Sequence, residues 1–93
     1  MSSLENYDGK VIMIASKNCP ACAALKARAE ENPEIKNNLV VLDVEESQLA
    51  RDIAEIMDIK SVPFLVSVSK KDDKTFVLCA VETEECVEIE KPE

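Results

Sequence analysis

Ninety-three residues read as one small domain over 1–93, able to bury a single core but too short for a separate substrate domain. Nineteen acidic against eleven basic residues give a net charge of −8, which repels nucleic acid and anionic membranes and argues against both as partners. The apolar fraction is 46% with one Tyr, two Phe and no Trp, so the core must be aliphatic.

Met1 to Lys10 is polar, and the apolar run Val11 to Ala15 is shorter than the roughly 7–15 residues of a secretory h-region. A cytoplasmic protein is the expectation, and no run approaches the roughly 20 apolar residues of a membrane helix. Val11 to Ala15, bounded by Gly9 and by Ser16-Lys17-Asn18, reads as a central strand buried on both faces. Helix-favouring residues follow from Cys19 to about Glu31, with Pro20 tolerated only in a first turn and Asn32-Pro33 as the stop. Cys22, Leu25 and Ala29 mark the buried stripe of that helix. Leu39 to Val44 is a second strand, parallel to the first across a right-handed crossover.

Ser47 can cap a second helix whose apolar positions Leu49, Ile53, Ile56 and Met57 fall at helical spacing, ending near Asp58. Phe64 to Val68 and Thr75 to Val81 read as strands joined by the polar hairpin loop Lys70 to Lys74. The tail is ambiguous: Thr83-Glu84-Glu85-Cys86 favours a short helix, whereas Val87 and Ile89 alternate with Glu as in an edge strand. The short helix is the expectation.

One motif carries chemistry. Cys19-Pro20-Ala21-Cys22 stands where a strand gives way to a helix, which turns a spacing shared with half-zinc sites into a dithiol site. Disulfide exchange needs a thiolate, and Cys19 at a helix N-terminus meets unpaired N–H groups and the positive end of the macrodipole. Lys17 adds a nearby charge, in a stretch from Gly9 to Ala29 that holds four basic and no acidic residues. Cys22 lies one turn along the same face and is the expected resolving thiol. Pro20 and Ala21 are supporting positions that influence the reduction potential.

The dithiol and the later segment Ile59-Lys60-Ser61-Val62-Pro63-Phe64-Leu65-Val66 together resemble the active-site and cis-proline motifs of the thioredoxin and glutaredoxin superfamily, over about residues 10 to 81. Pro directly after the first Cys looks more like glutaredoxins. The resemblance implies an α/β, thioredoxin-like fold with a central mixed four-stranded sheet flanked by helices, in the order β-α-β-α-β-β with a short C-terminal element. It also implies a cis bond between Val62 and Pro63, setting the Val62 backbone beside the dithiol to pair with an extended substrate. Asn18 stands where thioredoxins keep Trp, Met13 near their buried acid, and Cys79-Ala80-Val81-Glu82 where glutaredoxins have a glycine turn, which leaves glutathione a doubtful partner.

Cys79, between Leu78 and Ala80, reads first as a small buried hydrophobe. The alternatives are a structural disulfide with Cys86 or a second redox couple. Cys86, beside Glu84, Glu85 and Glu88, is a poor nucleophile. A metal site is not expected, because C-x6-C is not a usual zinc spacing and the chain has no His. The expected function is therefore that of a monomeric protein thiol-disulfide oxidoreductase, with Cys19 as nucleophile and no cofactor. Its partners would be protein disulfides and a reductase or dithiol donor. The second reading is an interaction or redox-sensor module without turnover.

Overall fold

The computed structural model describes residues 2–90. Its framework is a five-stranded mixed sheet in the order β2-β1-β3-β4-β5. β1 (Val11–Ala15) is an interior strand, parallel to β2 (Leu39–Asp43) and antiparallel to β3 (Phe64–Lys70), which holds the middle of the sheet; β4 (Thr75–Ala80) and β5 (Cys86–Glu90) continue the antiparallel side. The parallel pair needs a crossover, supplied by α1 (Pro20–Ala29) and α2 (Pro33–Asn38). α3 (Gln48–Ile56) connects β2 to β3, and a 3-10 helix (Ser2–Tyr7) precedes β1.

Why β1 lies inside the sheet follows from its residues. Ile12, Met13 and Ile14 are all buried, Ile12 and Ile14 facing one side and Met13 the other, so only a position covered on both faces suits this run. On one face Ile12, Ile14, Val66, Val68, Phe76 and Leu78 pack with Leu4 of the 3-10 helix and with Ala50 and Ile53 of α3. On the other, Met13, Ala15 and Leu65 pack with Cys22 and Ala29 of α1. Each large apolar side chain fully buried there contributes roughly 1.5–3 kcal/mol.

The helix boundaries are set by local chemistry. Ser47 caps α3, its hydroxyl accepting the Ala50 N–H at 3.1 Å. Asn32 caps α2 through its side-chain oxygen, 2.9 Å from the Glu34 nitrogen, with Pro33 at the first helical position. Gly9, at φ 80°, makes the turn from the 3-10 helix into β1 and donates its N–H to the Val68 carbonyl at 2.9 Å.

Three expectations are corrected. The four-stranded thioredoxin-like sheet gives way to five strands, because the tail forms β5 rather than a short helix. Val87 lies opposite Leu78 and Ile89 opposite Phe76, and Ile89 packs against the buried cluster; a short helix starting at Thr83 would forgo that burial. The stop at Asn32-Pro33 ends α1 but also starts α2, since a proline that terminates one helix suits the first turn of the next.

Candidate thiol-disulfide site

β1 ends at Ala15, and the loop Ser16 to Asn18 turns the chain into α1. Asn18 takes φ 57°, a left-handed conformation that Asn tolerates better than most residues. The following residue, Cys19, is extended at φ −114° and ψ 96° and serves as the N-cap of α1. Its Sγ occupies the position of an ordinary capping oxygen and accepts the Cys22 N–H at 3.0 Å. Pro20 fills the first helical position, where a missing N–H costs nothing.

Cys19 and Cys22 are joined by a disulfide, with Cα atoms 5.2 Å apart. The two sulfurs differ in environment: Cys19 is partly exposed, whereas Cys22 is 6% exposed and packed with Met13, Ala15, Ala29 and Leu65. Pro20 and Ala21 between them are both exposed. Among the described residues no charged or polar side chain is buried, and Met13 occupies the interior of β1 beside this cluster.

The Val62-Pro63 peptide bond is cis. Val62 packs against both buried clusters, one of which holds Cys22 and has Cys19 on its margin; Leu65 belongs to that cluster too, whereas Ile59, Phe64 and Val66 pack on the opposite face. An open groove of about 320 Å3 is lined by Ser16, Val44, Ala54, Ile59, Lys60, Ser61 and Val62, and shares Val62 with the cluster that holds Cys22.

Lys17, two residues before Cys19, is the basic residue expected to add a nearby charge. Its ammonium pairs with Glu46 at 2.6 Å, with both side chains more than 60% exposed. Glu46 was missed by the sequence reading because the pairing depends on where the end of β2 falls. The αL conformation of Asn18 left a faint signal, since Asn is among the few non-glycine residues that favour it.

Cys79 and Cys86 face each other across β4 and β5, with Cα atoms 4.0 Å apart, and form a second disulfide. This corrects the reading of Cys79 as a buried free hydrophobe: Cys79 is half-buried, and β5 carries Cys86 into register opposite it. The two cysteine pairs do not converge. No group of three or more His, Cys, Asp or Glu side chains arranged to hold a metal occurs among the described residues. No helix among them is long and apolar enough to cross a membrane. In comparisons with family models, curated proteins and solved structures, nothing matches the chain.

Proposed function

We propose that the protein is a thiol-disulfide oxidoreductase acting on protein disulfides through Cys19 and Cys22, as its motif resemblance to the thioredoxin and glutaredoxin superfamily implies. The observation that carries this reading is the seat of the Cys19 sulfur, partly exposed at the N-cap of α1 and accepting the Cys22 N–H. In the reduced protein the same N–H and the positive end of the helix lie beside the Cys19 sulfur, a setting that suits the anionic form exchange requires.

In the reductive direction the Cys19 thiolate attacks one sulfur of a substrate disulfide. A Cys19-substrate bond forms, the substrate S–S bond breaks, and the departing sulfur takes up a proton. Cys22 then loses its proton and attacks the Cys19 sulfur, closing the intramolecular disulfide and releasing the second substrate thiol. Two electrons pass from the protein dithiol to the substrate, and a reductase or dithiol donor restores the pair. The groove lined by Ser61 and Val62 is the proposed seat for an extended substrate strand.

A sensor or interaction module without turnover is the second reading. It is favoured by the absence, among the described residues, of any buried acid or base that could take the Cys22 proton. Trapping separates the two. A Cys22→Ser variant incubated with a protein disulfide should accumulate a mixed disulfide on Cys19, and Cys19→Ser should accumulate none. Equal trapping by both variants would overturn the roles assigned. With a glutathione mixed disulfide as substrate, turnover is expected to stay at background.

A further inference from the structure

We propose that Cys79-Cys86 is a second thiol-disulfide exchange site, opened by a thiol carried beside a positive charge that attacks Cys86 and expels Cys79. The pair sits at the margin of the sheet, since β5 pairs with β4 alone among the strands. Cys86 is exposed and Cys79 half-buried, so an incoming sulfur reaches Cys86 more readily. Attack along the S–S axis at Cys86 makes Cys79 the leaving group.

Charge sets the class of thiol. From Cys79 to Glu90 the chain carries five glutamates and no basic residue. Glu88 is paired with Lys71, which leaves Glu82, Glu84 and Glu85, all exposed, around the turn between the two cysteines. The first pair lies in a stretch from Gly9 to Ala29 without an acidic residue, although Glu46 from beyond that stretch pairs with Lys17. One carboxylate at roughly 7 Å in water changes the approach rate of a unit charge by about threefold, and several acting together change it more. An anionic thiolate is repelled from Cys86, whereas a thiolate carrying an ammonium group is not.

The chemistry balances with the external thiol as reductant. A first thiolate forms a bond to Cys86 Sγ as the Cys79-Cys86 bond breaks, and Cys79 leaves as a thiolate that takes a proton. A second thiolate attacks the external sulfur of the mixed disulfide, forming the external disulfide and releasing the Cys86 thiolate, which is also protonated. Two electrons pass from two external thiols to the protein.

The test treats the full chain carrying Cys19→Ser and Cys22→Ser with cysteamine or with 2-mercaptoethanesulfonate, at matched thiolate concentration and low ionic strength. Opening of Cys79-Cys86 is followed by differential alkylation and peptide mass mapping. Wild type is treated in parallel in case the double variant folds poorly, and the first pair need not be active for the result to count. The inference expects cysteamine to open the bond at least about tenfold faster, with the ratio falling towards one in 1 M salt, where screening acts within about 3 Å. It expects the same fall when Glu82, Glu84 and Glu85 are changed to Gln, and the trapped adduct on Cys86. Equal rates for the two reagents at low salt, an adduct on Cys79, or a bond inert to both would overturn it.

Discussion

Asn18 and Cys19 show how two residues set a sulfur at a helix N-cap. Asn18 at φ 57° turns the chain so that Cys19 can take the extended capping conformation, and a β-branched residue resists that geometry. Asn18→Val is expected to lower stability by about 1–2 kcal/mol, the cost of a left-handed backbone, while Asn18→Gly stays close to wild type. Urea denaturation of both variants checks this. At Ser47 the capping hydroxyl is expected to contribute about 1 kcal/mol, so Ser47→Ala should shift the same denaturation midpoint. A loss as large for Asn18→Gly as for Asn18→Val would mean that the side chain, not the backbone angle, is what the site needs.

At the scale of elements, the regular patterns were the legible ones. The apolar run Val11 to Ala15 is β1 as expected, and the helical spacing of Leu49, Ile53 and Ile56 with the Ser47 cap yields α3. α2 escaped because six residues carry too little periodicity to stand out from a loop. β5 escaped because local preference at Thr83 to Glu85 competed with a pairing that only the neighbouring strand reveals. Of the candidate site, the closeness of Cys19 and Cys22 and the cis Val62-Pro63 bond were legible in motifs, whereas the Lys17-Glu46 pair and the Cys79-Cys86 bond depend on how distant segments meet.

The β3-β4 hairpin offers a titration. Hydrogen bonds, led by the backbone N–H of Lys74 to Asp72 at 2.9 Å, hold the Asp72 carboxyl below its ordinary value. A depressed acid stabilises the fold above its unfolded pKa and loses that contribution as the pH falls through the folded value. The Asp72 carboxyl carbon followed by NMR should therefore titrate below an ordinary aspartate. Titration at or above the ordinary value would contradict the turn geometry.

For the whole molecule, the two disulfides share one side of the sheet. Cys22 packs with Met13 and Leu65, and the register Met13-Leu65 and Ser67-Cys79 sets Cys79 on that same side. Their settings differ: one caps a helix in a cationic stretch, and the other joins an acidic edge strand. Closing a loop with a sequence separation of 7 should stabilise the fold by roughly 2–3 kcal/mol through the unfolded chain. Reducing Cys79-Cys86 in the Cys19→Ser, Cys22→Ser background should lower the urea midpoint accordingly. An unchanged midpoint would assign the bond no structural weight.

The central claim is turnover at Cys19. Its most direct test is the initial rate of reduction of a protein disulfide by a dithiol donor, measured with wild type, with Cys19→Ser and with no protein added. The account predicts a rate with wild type well above the donor alone and a rate with Cys19→Ser equal to it. A wild-type rate no higher than the donor alone, or full activity in Cys19→Ser, would contradict it.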